Sequence, residues 1–136
     1  MRERLFPTSL EFIFSLGTGL TAAGIPNVFP NIFKERPEMN AELAVGTSTL
    51  ILGFTLGLRS NFRAEGLASE GKIRRAYLAA ITEPILTAIS FGISGGAFGA
   101  MAGRREAFIS AAVCAVIGWG INTAANIYSV RSTLKK

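Results

Sequence analysis

Few side chains in this sequence could do catalytic chemistry. The chain has no histidine and no aspartate, and its one cysteine, Cys114, lies in an apolar stretch. Without histidine, no Ser–His or Cys–His pair can form for nucleophilic catalysis, and the usual ligand of haem and catalytic zinc is missing. A single cysteine also excludes an internal disulfide. We therefore expect no enzymatic activity, no metal site and no cofactor, and we interpret Cys114 as a buried, unreactive thiol.

Glu83 has the strongest claim to a functional role. It lies seven residues into an apolar stretch over residues 76–102, which is about 10 Å along a helix that rises 1.5 Å per residue. A charge at membrane depth is costly, so this carboxyl group should be protonated or paired. Asn122 lies at a similar depth on the next, antiparallel stretch, and we expect the two side chains to meet directly or through a water. They form either an intramembrane proton or cation site or a structural contact between helices.

Four apolar stretches carry these residues. Apolar residues make up 49% of the 136 residues, and neither 43–58 nor 85–103 contains a charge. A membrane-spanning helix needs about 20 mainly apolar residues. The first stretch is the shortest, and we expect its Glu11 to lie at the membrane interface. The sequence predicts one all-α integral membrane domain of four transmembrane helices, over about 8–25, 41–58, 76–102 and 107–130.

Three connections join these stretches. Residues 26–40 contain three prolines and predict a loop on the membrane surface, and residues 59–75 predict a longer polar connection. Only the sequence GRRE separates the last two stretches, which predicts a tight hairpin. Within the third stretch, Pro84 removes one backbone hydrogen bond and predicts a kink directly after Glu83.

Glycines and alanines recur at helical spacing in these stretches. Residues four apart lie on one face of a helix, and in lipid small side chains let two helix backbones approach closely. We therefore expect glycine-zipper packing between all four helices. The third stretch offers Gly92, Gly95, Gly96, Gly99 and Gly103; the fourth Ala111, Ala115, Gly118 and Ala125; the second Gly46, Gly53 and Gly57; and the first Gly17, Ala22 and Gly24.

Basic residues set the expected orientation. The net charge of +5 comes from residues that flank the apolar stretches instead of forming one basic face, so we expect no nucleic-acid partner. Four spans would place ten lysines and arginines on the side of both termini and four on the other side. Both termini should therefore face the cytoplasm or an organelle matrix. Arg74 and Arg75 are expected to contact lipid headgroups, and Trp119 is expected to face lipid.

Two runs of the sequence resemble a known family. GISGGAFGAMAGRREAFISAAVCAVIG, at 92–118, and LILGFTLGLRSNFRAEG, at 50–66, are similar to the glycine-rich helices of the mitochondrial inner-membrane translocase channel family. That family includes outer-envelope amino-acid transporters and a four-helix accessory subunit of respiratory complex I. The resemblance implies a four-span subunit of a membrane complex or a translocase component. It carries over no site residues, because Arg63 stands where the family's basic loop would have an acid.

These observations favour a small, non-catalytic membrane subunit that packs within a larger complex and stabilises it. Its partners would be lipids and other integral membrane subunits or further copies of itself, in a mitochondrial inner membrane or a bacterial plasma membrane. The alternative is a small transporter or channel that uses Glu83 as its proton or cation site. A pore-forming, holin-like protein is a third interpretation, suggested by the basic C-terminal sequence STLKK.

Overall fold

The computed structural model describes residues 9–28 and 39–135, and every regular element in this part of the chain is an α-helix. The helices are α1 (Ser9–Val28), α2 (Met39–Ser69), α3 (Ile73–Thr82), α4 (Pro84–Ala100) and α5 (Arg104–Thr133). Three segments are long and apolar enough to cross a membrane, namely Ala41–Ser69, Ile73–Ala100 and Arg104–Thr133, while α1 contains a shorter apolar segment, Ile13–Gly24. The expectation of an all-helical protein is confirmed for the described residues, and three of the four expected spans have the length and hydropathy that crossing a membrane requires.

Helix α2 lies at the centre of the arrangement. It packs against each of the other four helices, α1, α3, α4 and α5. The short turn at residues 101–103 joins α4 to α5, and these two helices form the most extensive contact between elements. The loop predicted over 26–40 falls mainly on residues 29–38, which lie outside the described residues, as do the basic residues at positions 2, 4, 34, 36 and 136.

The polar connection predicted over 59–75 is wrong for most of its length, because α2 continues to Ser69. A helical face with buried residues every fourth position continues past the end of the apolar stretch: Leu56, Ser60, Ala64 and Ala68. The turn that follows contains Gly71, whose φ of +74° favours glycine. The Lys72 N–H donates to the Leu67 carbonyl at 2.9 Å and the Gly71 N–H to that of Ala68 at 3.0 Å, which is the Schellman arrangement of a helix end.

Small side chains form the interior. The buried cluster consists of Ala64, Ala68, Ala76, Ala80 and Val130, and partly buried Leu67, Tyr77 and Ile127 pack against it. Large apolar side chains point outward instead. Six of them are each more than half exposed: Phe54, Phe62, Leu78, Phe108, Val116 and Ile121. A water-soluble bundle would bury such side chains, whereas lipid is as apolar as they are.

The interruption at Glu83 separates α3 from α4. Pro84 has no N–H to donate to the carbonyl of Ala80, and the Leu86 N–H bonds to the carbonyl of Glu83, three residues before it. Glu83 itself keeps helical dihedral angles, with φ −68° and ψ −33°. The helix is therefore interrupted where the sequence predicts the effect of Pro84. Carbonyl groups in the last turn of α3 accept from side chains of a neighbouring helix.

Candidate functional site

Polar side chains from α1, α2, α4 and α5, together with Glu83 at the break between α3 and α4, form what we call the polar layer. Its members form ion pairs and hydrogen bonds between helices: Glu11, Arg59, Ser60, Asn61, Arg63, Glu83, Thr87, Asn122, Asn126 and Ser129. Residues 59–63 of α2 contribute four of them. The layer exists because α2 continues as a helix beyond its apolar stretch and presents these side chains to its neighbours.

Two ion pairs join α2 to other helices. Arg59 lies 3.1 Å from Glu11 of α1, and Arg63 lies 2.7 Å from Glu83 at the break between α3 and α4. The Glu83 side chain is 12% exposed and that of Arg63 28%, so this is the more buried of the two ion pairs. A carboxylate inside an apolar bundle is stabilised by a guanidinium at this distance, because each charge offsets the desolvation of the other.

Asn126, in α5, is the most buried member of the layer. Its Nδ2 donates to the hydroxyl of Ser60 at 2.6 Å and makes a longer contact, 3.5 Å, with the Ala80 carbonyl that Pro84 leaves without an N–H. Its Oδ1 accepts from Asn61 at 3.2 Å. One amide therefore joins α2, α3 and α5. The sequence analysis did not identify Asn126, although it follows Gly118 and Asn122 on the buried face of α5, one helical turn after the other.

Trp119 of α5 also donates a hydrogen bond to the last turn of α3. Its indole N–H donates to the carbonyl of Ile81 at 3.3 Å, while 41% of the residue remains exposed. A carbonyl group in an apolar environment needs a donor from the protein, because its surroundings provide none. Trp119 is thus a surface residue, as expected, with one polar atom committed to the backbone of α3.

Asn122 is buried between α2, α4 and α5. Its Nδ2 donates to the hydroxyl of Thr87 at 3.0 Å, and its amide lies over Gly57, where an added Cβ would be 3.5 Å from that nitrogen. Thr87 is one turn after Glu83, so Asn122 and Glu83 lie near the same part of α4. Their expected contact stays a prediction, since the structure pairs Glu83 with Arg63 and Asn122 with Thr87.

The glycines of α4 lie along α5. An added Cβ would be 2.7 Å from the carbonyl oxygen of Glu106 at Gly99 and 2.6 Å from that of Ser110 at Gly95, so both positions admit only hydrogen. The second row is less tight: a Cβ would be 3.2 Å from the Ala115 Cβ at Gly92 and 3.4 Å from the Ala111 Cβ at Gly96.

The remaining glycines have other neighbours. The ring of Phe91 covers Gly53 and Gly118, that of Phe98 covers Gly46, and Gly103 lies at the turn before α5. Gly17 and Gly24 of α1 were expected at a packing face, but no described atom comes within 4 Å of a Cβ at either position, and it is Gly19 that approaches Ser48 of α2. Ala22, the third residue expected on this face of α1, is buried, so the expected face agrees with the structure in part.

Two grooves lie on the outer surface of the bundle. The first runs between α2, α4 and α5 and has a volume of about 720 Å³. We call it the inner groove because it reaches the buried Asn122; Asn61 and Thr87 also line it, beside apolar side chains. The second, the hairpin groove, has a volume of about 820 Å³ and is lined by α4 and α5 alone. Its floor contains Gly92, Gly96, Ala111 and Ala115.

Comparison of the chain with protein-family models, with curated proteins and with solved structures finds no match.

The chemistry that this arrangement supports is pairing between helices. Among residues 9–28 and 39–135, no three histidine, cysteine, aspartate or glutamate side chains are grouped so that they could hold a metal ion. Cys114 lies partly buried beside Gly95. Arg74 and Arg75 are exposed in the first turn of α3, away from the polar layer. Arg59 and Arg63 of α2 each pair with a carboxylate from another part of the bundle.

Proposed function

We propose that this chain is a small, non-catalytic integral membrane subunit that packs within a larger membrane protein complex and stabilises it. The observation that carries the proposal is the distribution of polar and apolar side chains between the interior of the bundle and its outer surface. The polar side chains pair with one another inside the bundle, and the outer surface offers large apolar side chains and an uncovered apolar groove. Such a surface supports contacts with lipid and with other membrane helices.

In this proposal the chain is a four-span glycine-zipper bundle, with both termini on the cytoplasmic or matrix side of a mitochondrial inner or bacterial plasma membrane. Helix α1, with 20 residues, has a length of about 30 Å, which matches the hydrocarbon thickness. The close approach of α4 and α5 at Gly95 and Gly99 supports the glycine zipper. The exposed Arg74 and Arg75 would lie among lipid headgroups at the basic side.

The hairpin groove is the surface that we assign to a partner helix. Small residues form its floor, while Ile85, Ile89 and Val116, each more than half exposed, stand at its sides. A floor of small residues lets the backbone of another helix approach closely, which is how helices associate in lipid. No part of α1 or α2 lines this groove. A neighbouring subunit, or a second copy of this chain, would fill it.

Copurification tests the proposal. The tagged full-length chain is extracted from its native membrane in mild detergent, and the proteins that remain bound are quantified by mass spectrometry. We expect stable partners at fixed stoichiometry. The variant Ala112→Trp fills the hairpin groove and should release them, whereas Ala124→Trp, on an exposed part of α5 that lines neither groove, should retain them. A monodisperse single chain with no partner would contradict the proposal.

The identity of the partners tests the family resemblance separately. Translocase or respiratory complex I subunits among them would support kinship with the translocase channel family; partners of any other kind would argue against it. The alternative function, a transporter or channel with Glu83 as its ion site, has weaker support. Glu83 lies 2.7 Å from a guanidinium, which favours a structural carboxylate over one that releases and binds a cation in each cycle.

A further inference from the structure

The inner groove has the build of a binding site for a small ligand. Its volume of about 720 Å³ is within the range of roughly 300–1,000 Å³ that small-molecule sites occupy. Phe54 and Leu58 of α2 and Ile117 and Ile121 of α5 are each more than half exposed and line the groove beside its buried residues. The groove spans residues 50–61 of α2, eleven steps along the helix, or about 16 Å.

Asn122 gives this apolar groove a specific polar group. The residue is only 8% exposed, and its one hydrogen bond among the described residues is the donation from Nδ2 to Thr87. The Oδ1 atom therefore has no partner in this part of the chain, and lipid tails cannot supply one. An amide oxygen that lines an apolar groove without a partner can accept a hydrogen bond from a bound molecule. Because the Thr87 hydroxyl can donate or accept, the amide can turn over and offer either its oxygen or its NH2 group.

We propose that the inner groove binds a lipid-soluble small molecule, with an apolar body between α2 and α5 and a hydroxyl or carbonyl oxygen hydrogen-bonded to the Asn122 amide. A quinone-type ring and the ester region of a phospholipid share this chemistry. Gly57 makes room for the contact, because its missing side chain leaves the amide of Asn122 uncovered on the side of α2. The site is separate from the hairpin groove, so it does not depend on which complex the chain belongs to.

Cys114 provides a reporter for occupancy. It is the chain's one cysteine, is partly buried, and lines the inner groove. In the full-length protein in detergent, the alkylation rate of Cys114 by N-ethylmaleimide is measured with decylubiquinone, with dioleoyl phosphatidylglycerol, and with hexadecane, which has no oxygen. We expect at least one oxygen-bearing probe to slow alkylation by about tenfold at ten times its dissociation constant. Hexadecane should have little effect, and the better of the two oxygen-bearing probes identifies the source of the ligand.

Two variants and a control assign the effect to the groove. Gly57→Leu places a side chain in the groove, and at this glycine a Cβ meets only ordinary contacts; it should abolish protection. Asn122→Leu should weaken protection by the oxygen-bearing probes towards the level of hexadecane. Gly120→Leu, where no described atom lies within 4 Å of a Cβ, should respond like the wild type.

Three results would overturn the proposal: no probe protects wild-type Cys114, hexadecane protects it as well as the other probes, or Gly57→Leu is protected like the wild type. The wild-type measurement alone decides the first two, so the test holds even if a variant does not fold.

Discussion

Arg63 and Glu83 lie 2.7 Å apart, and their ion pair joins the polar end of α2 to the break between α3 and α4. Pro84 creates that break, and the carboxylate that precedes it is held by α2, from a position 20 residues earlier in the sequence. The pair therefore fixes the position of the interrupted helix relative to the rest of the bundle. It also accounts for a glutamate in a stretch that is otherwise apolar.

Neutralising either member of this pair should destabilise the bundle. Glu83→Gln and Arg63→Gln should each lower the free energy of unfolding by about 1–3 kcal/mol, between the values for exposed and fully buried pairs, because both side chains are only partly exposed. Unfolding by sodium dodecyl sulfate in mixed micelles, followed by circular dichroism, measures the change.

The double variant separates the pair from its surroundings. Arg63→Gln with Glu83→Gln should cost less than the sum of the two single changes, and the exchanged pair Arg63→Glu with Glu83→Arg should recover part of the loss. Arg131→Gln, at an exposed position of α5, should change stability by no more than about 0.5 kcal/mol. Strictly additive single effects would show that the two residues do not act as a pair.

Asn126 should be coupled to Pro84. Asn126→Ala removes a buried amide with partners on α2 and α3, and we expect it to cost about 2–3 kcal/mol, since hydrogen bonds between membrane helices contribute up to about 1.7 kcal/mol each. In a Pro84→Ala background the restored N–H can donate to the Ala80 carbonyl, so the cost should fall by about 0.5 kcal/mol. The same unfolding assay measures the cost of Asn126→Ala in the wild-type and the Pro84→Ala backgrounds. Asn122→Ala is the control, because its hydrogen bond is to Thr87 and its cost should be the same in both backgrounds. An equal cost in both backgrounds would disprove the coupling.

The glycines of α4 should differ sharply from those on open surfaces. Gly99→Ala forces a Cβ to 2.7 Å from a backbone oxygen of α5 and should destabilise the hairpin by about 1–3 kcal/mol. Gly120→Ala meets open space and should be neutral or stabilise by up to about 1 kcal/mol, because alanine favours the helix. Thermal unfolding of the two variants side by side gives the comparison. Equal effects would show that close packing at Gly99 is unimportant.

Hydropathy and proline chemistry predicted the helices and the break at Glu83, because both depend on local sequence. The extent of α2 was missed, since Arg59, Asn61 and Arg63 end the apolar run and resemble a loop. The signal that was present is spacing: Ser60, Ala64 and Ala68 continue one helical face. A polar segment that keeps a row of small residues at every fourth position remains helical when other helices pair with its polar side chains.

The pairing inside the polar layer depends on tertiary structure and could not be read from spacing. We expected Glu83 to contact Asn122 because the two residues lie at similar positions along neighbouring helices. The ion-pair partner of Glu83 is instead Arg63 of α2, which the sequence analysis placed in a loop. Once α2 is extended by a further eleven residues, its polar side chains reach the level of Glu83 and Asn126. Because the end of α2 was interpreted as a loop, its residues were not expected as partners of Glu83 and Asn126, and the contact expected between Glu83 and Asn122 stays a prediction.

The most direct test of the account is ion flux through the purified protein. The full-length chain and Glu83→Gln are reconstituted into liposomes with an imposed pH gradient, and dissipation is followed with an internal pH-sensitive dye. We predict that both behave like protein-free liposomes, although Glu83→Gln is less stable, because Glu83 holds the bundle together through Arg63. The account would be contradicted if the wild type conducted protons and the folded Glu83→Gln variant did not. That result would make this carboxylate a transport site.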